Sequence, residues 1–367
     1  MAAEVLREVV QDEWAYVVGL LPSNLDELAE ATGALRRRRA ITSGEALIRL
    51  VLAYAAEDWS LRQTAAMSRA MGWHTMSDVA ILNRLRACPE FLRRVVSAVL
   101  ARRLDVGRRP SMRVCLVDAT TVSRPGSQGI DWRLHVVYDL FAMQLQSVQI
   151  TDSSGGETFR RIEPNGDEVF LGDRGYGLAP GLIHMLERRS KFIVRTSPQQ
   201  IRLKPRPGES LDVMAWLQGL PDATAGECEV GIGLREAYWP LRLVAVRKSP
   251  EAAAKAVQQA MRESTKHGHQ VREETLILAQ YIVILTNCEL GVTVEQVLEA
   301  YRFRWQIELA FKRLKSLLYL DALRARDPAL AQTYLLGKIL AALLAEDLTV
   351  RAGLFSPWGF VLVPTPA

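Results

Sequence analysis

Apolar positions recur at helical spacing from the start of the chain to about residue 109, and there the period changes. Within the helical part, SLRQTAAMSRAMGWHTMSDVAILNRLR (60–86) offers Ser60 as a helix N-cap, Gly72 as a stop, and Ser77 with Asp78 as the next start. That pattern predicts a helix-turn-helix or a plain αα-hairpin. In the first case Asn83, Arg84 and Arg86 of the second helix are candidates to reach DNA. The Arg-rich, Pro-containing stretch RLDVGRRPSMR (103–113) reads as a linker closing this unit.

Beyond the linker the apolar runs shorten to strand length. RVCLVDATTV (113–122) is a short continuous apolar run ending on Asp118, which predicts a central strand buried on both faces and closed by that residue. DWRLHVVYDL (131–140) and MQLQSVQITD (143–152) complete a meander, and a short helix is predicted over GGETFRRI (155–162). DEVFLGDRGYG (167–177) predicts a strand ending on Asp173, followed by a helix at 179–189 and a strand at 191–197. The order βββαβαβ, with first and fourth strands adjacent at the centre, is that of ribonuclease H-like cores. From 199 to about 290 several strand-like runs surround a Lys-, Glu- and Gln-rich helix at 250–274, which reads as a β-rich insertion.

The fold class expected is therefore α/β, in five segments: an all-helical N-terminal DNA-binding domain (1–109), the first part of the catalytic core (110–198), the insertion (199–290), the second part of the core (291–330) and a short C-terminal helical segment (331–367).

The stretch YRFRWQIELAFKRLK (301–315) predicts one amphipathic helix. On a wheel of ~100° per residue Tyr301, Arg304, Glu308 and Lys315 share a stripe about 60° wide, while Phe303, Ile307, Ala310, Phe311, Leu314 and Leu318 form the adjoining core side. An Arg304–Glu308 i, i+4 pair accounts for the stripe at its simplest.

Composition adds a bounded amount. With 367 residues and 49% hydrophobic content the chain can bury more than one core. The net charge of +5 hides a local excess: residues 301–326 carry seven basic side chains against Glu308 and Asp321, and four arginines run from 36 to 39. Cys88, Cys115, Cys228 and Cys288 are scattered, which supports neither a disulfide framework nor a zinc site and fits a reducing cytoplasm. The opening MAAEVLREVVQDEW lacks the basic and apolar regions of an export signal, and no phosphate-loop motif suggests nucleotide hydrolysis.

Asp118, Asp173 and Glu308 are the carboxylates placed to converge. Brought together they would repel one another unless divalent cations neutralised them, and oxygen-only ligands suit Mg²⁺ or Mn²⁺. Two such ions in one site promote in-line displacement at a phosphodiester. Arg304 and Lys315 would then hold phosphates, and Arg174, Gly175 and Gly177 lie beside Asp173 where backbone and guanidinium can approach one. Asp131, Asp139, Asp152 and Glu157 are spare carboxylates of the same region, either supporting groups or surface, and His135 receives no role.

The spacing Y-x2-R-x3-E-x6-K at Tyr301, Arg304, Glu308 and Lys315, with VDATT at Asp118 and GDRGYG at Asp173, resembles the bacterial insertion-sequence DDE transposases bearing the YREK signature, the insertion-sequence-four family. The resemblance covers about 60–327. It implies a ribonuclease H-like core with a mainly β insertion, and Asp118, Asp173 and Glu308 as ligands of two Mg²⁺ or Mn²⁺ ions. It implies Tyr301, Arg304 and Lys315 as phosphate contacts at the transposon end, and double-stranded DNA held by a homodimer in a paired-end complex in the bacterial cytoplasm. Some members stack an insertion-domain tryptophan on a flipped base. Here the aromatic opening the strand before the signature is Tyr281, a departure that leaves both hairpin chemistry and base stacking open.

Overall fold

Ser60 and Gln63 cap one another's backbone N–H groups at 3.2 and 2.9 Å, which sets the start of a helix where the sequence places it. The computed structural model describes residues 14–105 and 113–354, apart from 125, 143, 167, 207–209, 222–223, 235–236, 267, 269, 309–310, 313–322 and 324. Helices α1 (Leu25–Ala31), α2 (Gly44–Ala55), α3 (Leu61–Ala70), α4 (Asp78–Arg86) and α5 (Pro89–Asp105) lead towards the sheet. Gly72, at φ +72°, reverses the chain after α3, and Ser77 caps α4.

The strands are β1 (Arg113–Val122), β2 (Trp132–Asp139), β3 (Gln144–Asp152), β4 (Glu168–Gly172), β5 (Lys191–Arg195), β6 (Ala225–Leu234), β7 (Ala237–Arg247) and β8 (Tyr281–Thr286). They form one sheet in the order β3-β2-β1-β4-β5-β8-β7-β6. β1, β4 and β5 run parallel at its centre, flanked by the antiparallel meander on one side and β8-β7-β6 on the other. The strands of 199–290 therefore extend the core sheet through the pairing of β5 with β8. Between strands lie α6 (Ala179–Glu187), α7 (Val213–Gln218), α8 (Pro250–Lys266) and α9 (Glu273–Ala279). Where a helix is expected over 155–162, only a 3₁₀ turn forms at Phe159–Arg161, because Gly155 and Gly156 belong to the loop before it.

Alternation along the strands divides the interior in two. Leu116, Val169, Leu171, Ile193 and Ile284 face one core, whereas Cys115, Val117, Phe170, Phe192, Val194, Val283 and Leu285 face the other. The first core is shared with α10 (Val294–Arg302), Ile307, Phe311 and α11 (Pro328–Leu354).

α11 is not a C-terminal appendage. It packs along α2, α4 and α5, so the helical unit is built from both ends of the chain. A Cβ on Gly337 would stand 2.7 Å from the Cβ of Ala55, so α11 approaches α2 as closely as it does because no side chain intervenes. Thr333 donates to the Leu85 carbonyl of α4 at 2.7 Å. Residues 328–350 are long and apolar enough to cross a membrane, but 72% of that window is buried inside the protein.

The expected single helix over 301–315 is interrupted. α10 ends at Arg302, and Phe303 and Arg304 form a turn closed by i to i+3 bonds, Arg304 N to the Tyr301 carbonyl at 3.1 Å and Ile307 N to the Arg304 carbonyl at 3.2 Å. Helix resumes from Trp305. The tighter turn rotates the helix on its C-terminal side relative to α10, so Phe303, expected in the core, is 44% exposed, whereas Ile307 is fully buried.

Candidate active site

Asp118 shares strand parity with Leu116 and Thr120, so β1 points it at the face on which Tyr301, Ile307 and Phe311 pack. Its carboxylate accepts from Ala119 N at 2.8 Å. β4 lies parallel to β1, and Asp173 immediately follows it, capping the turn Arg174–Tyr176 by accepting from Gly175 N at 2.8 Å. The central strand pair thus delivers two of the three expected acids to one end of the sheet.

The electrostatics show that these acids sense each other. Asp118 is pushed up from 3.8 to about 6, first by burial, then by the negative charges of Asp173 and Glu157, with the Ala119 N–H and Arg304 working against the rise. Glu157 is raised by its own burial and by Asp173.

The third acid is linked differently. Glu308 is exposed and pairs with Arg304 at 2.5 Å, while the other terminal nitrogen of the same guanidinium stands 4.0 Å from Asp118. Arg304 therefore lies between Asp118 and Glu308. Burial opposes its charge, but Tyr301, Glu308 and Asp118 outweigh that effect and hold it above its ordinary value. Among the described residues no three Asp, Glu, His or Cys side chains stand within common reach of one metal ion. The donor chemistry nonetheless fits a hard divalent cation, since Asp118 and Asp173 offer oxygen only and their mutual repulsion is what such an ion relieves.

Residues 109–344 match the family model described as Transposase DDE domain. The chain belongs to the DDE transposase family. This transposase is 39% identical over 347 residues to the putative transposase InsL of insertion sequence element IS186A of Escherichia coli strain K12, covering 92% of this chain and 94% of that protein. It is 38% identical over 348 residues to the transposase of insertion sequence element IS421 of Escherichia coli, with the same coverage. A more distant relative, the transposase of IS231B of Bacillus thuringiensis subsp. berliner, is 22% identical over 89% of this chain and 77% of its own length.

Beside its acids the transposase carries a cavity of about 1070 Å³ lined by Arg174, Arg195, Lys248, Arg272 and Tyr281. Arg195 is held below its ordinary value by burial and then by Arg174, and Lys248 by burial and then by Arg195 and Arg174. Three cations that repel one another across a cavity make a place for an anion. Sequence reading missed Arg195 and Lys248. Arg195 ends β5 and Lys248 immediately follows β7, and only the order of the sheet brings those positions beside Arg174.

The remaining candidates separate. Tyr301 is half-buried against the first core and faces Arg304. Tyr281 belongs to the opposite core and is 5% exposed, a buried strand residue whose ring contributes to the cavity wall. Of the α4 residues, Asn83 is exposed, but Arg84 donates to the carbonyls of Ala34 and Arg37 at 2.9 and 3.2 Å and Arg86 pairs with Asp327 at 3.1 Å. Both arginines thus have partners within the helical unit, Arg84 on the 34–37 segment and Arg86 on Asp327. Lys315 lies outside the described residues.

Proposed function

We propose that this transposase cuts DNA at the terminal inverted repeats of its own insertion sequence and joins the freed ends to target DNA, with Asp118, Asp173 and Glu308 as the carboxylates of a ribonuclease H-like centre. One observation carries the reading: parallel pairing of β1 with β4 sets Asp118 beside Asp173, on the face where Arg304 reaches both Asp118 and Glu308. Asp118 and Asp173, with Glu308 brought in, would hold Mg²⁺ or Mn²⁺, two ions in all, which when bound supplies the Lewis acidity for displacement at phosphorus.

The chain's own groups do the rest. Tyr301, Arg304 and Lys315 hold phosphates of the transposon end, and Arg304, released from Glu308 onto a phosphate, frees that carboxylate to join Asp118. Arg174, Arg195 and Lys248 fix the strand that enters the basic cavity. The acting form is a homodimer bridging two ends of double-stranded DNA.

The test is an incubation of protein with end-containing plasmid and Mg²⁺ or Mn²⁺. Wild type should give cut and joined products. Asp118→Asn, Asp173→Asn and Glu308→Gln should each abolish cleavage and leave end binding in place. Cuts without joining would make the protein a nuclease, and strong cleavage by any of the three variants would remove that residue from the centre.

A further inference from the structure

The loop between β3 and the 3₁₀ turn is held on both sides. A Cβ on Gly155 would fall 2.0 Å from Thr151 Oγ1, so this residue packs directly on β3. Arg133 donates to the Gly155 carbonyl at 3.1 Å, Arg161 to the Gly156 carbonyl at 3.1 Å, and Thr158 Oγ1 accepts from Arg160 N at 3.2 Å. Between these anchors the Glu157 side chain extends over Gly175. Its Oε2 lies 2.1 Å, and Asp173 Oδ1 3.1 Å, from the point where a Cβ of Gly175 would stand. Two carboxylates thus share the space that the missing side chain leaves open.

Glu157 is half-buried and has no hydrogen bond or ion pair at bonding distance with any described residue. Arg133, whose charge acts on it, donates to the Gly155 carbonyl instead. A half-buried, unpaired acid set against a second acid is destabilising as it stands. It is explained if a cation belongs between them. Both carboxylates lie beside Gly175, and with adjustment of the Glu157 side chain one Mg²⁺, which binds oxygens at about 2.1 Å, can take an oxygen from each.

We propose that Glu157 is a further carboxylate of the catalytic centre, sharing a divalent cation with Asp173 over Gly175 and so setting that ion's position relative to Asp118. The proposal rests on Asp118 and Asp173 being the metal carboxylates. It gives the sheet its own preformed ion site, with Glu308 completing the centre from the helical side when Arg304 leaves it.

The experiment measures Mn²⁺ binding by the full-length protein without DNA, from the loss of the free-ion electron paramagnetic resonance signal, for wild type, Glu157→Gln and Asp173→Asn. Circular dichroism and thermal melting check that each variant is folded. Wild type should bind. Asp173→Asn should lose binding, and Glu157→Gln should bind about 10-fold more weakly or worse, since changes to groups around a metal typically lower affinity 10- to 100-fold. Gly175→Ala, which forces Glu157 away from Asp173, should act in the same direction. If Asp173→Asn binds Mn²⁺ as wild type does, the assignment of the centre itself fails. If Asp173→Asn loses the ion and folded Glu157→Gln stays within about twofold of wild type, the centre stands and Glu157 is excluded. A wild-type protein that binds no Mn²⁺ without DNA overturns the preformed site.

Discussion

Replacing Asp118 by Asn should stabilise the fold while destroying its chemistry. The ionised carboxylate is partly buried beside Asp173 and Glu157, and this environment lifts it from 3.8 to about 6. At 1.36 kcal/mol for each tenfold change in proton affinity, the folded protein above that pH bears a cost of roughly 3 kcal/mol that the unfolded chain does not. The sign follows from the direction. A folded-state value raised above the unfolded one gives a contribution fully present below about pH 4 and lost as the pH rises through about 6. Asn keeps the acceptor for Ala119 N and carries no charge, so Asp118→Asn should gain roughly 1 to 3 kcal/mol at about pH 8, with the difference from wild type vanishing towards pH 4. Urea denaturation of both proteins across that range measures it, and added Mg²⁺ should raise the wild-type midpoint at about pH 8 more than the variant's. A variant no more stable than wild type at about pH 8, or a difference that does not change with pH, would refute the view that Asp118 is held charged against its surroundings.

Other perturbations probe the scaffold and the cavity. Glu168 and Asp139 enclose Arg113 at the far end of β1, all three nearly fully buried, with Glu168 in direct contact and Asp139 at 4.0 Å. Glu168→Gln should therefore cost about 3 kcal/mol or more in denaturant unfolding, because Arg113 keeps its charge and loses its closest partner. Gly337→Ala should force α11 away from α2 and lower stability by about 1 to 3 kcal/mol, with the loss visible in thermal melting. Arg195→Gln should flatten the plot of log end-binding constant against log salt by about 0.9, the change expected when one cation no longer neutralises a phosphate; an unchanged slope would place the DNA elsewhere.

The local pattern sufficed for the end of β4, which stops at Gly172 before Asp173 caps the next turn. It did not suffice for β1, expected to end on Asp118: the strand runs on to Val122, because antiparallel pairing with β2 carries Asp118–Val122 along Val136–Trp132. Ser60, Gly72 and Ser77 marked α3 and α4, because caps and positive φ are local requirements with few residues able to meet them. The break at Phe303 and Arg304 was invisible, since α-helix and 3₁₀ turn accept the same residues and differ in the packing of Ile307 and Phe311.

What the sequence determined by itself was the set of chemical parts and the strands that carry Asp118 and Asp173. Tertiary structure decided their relations: Arg304 between Asp118 and Glu308, Arg195 and Lys248 beside Arg174, Glu157 over Gly175, and α11 closing the N-terminal bundle. The physical reason is range. Capping, periodicity and turn geometry act over a few residues and leave their mark in neighbouring letters, whereas charge, packing and ion binding depend on distances in space that the order of strands in the sheet creates.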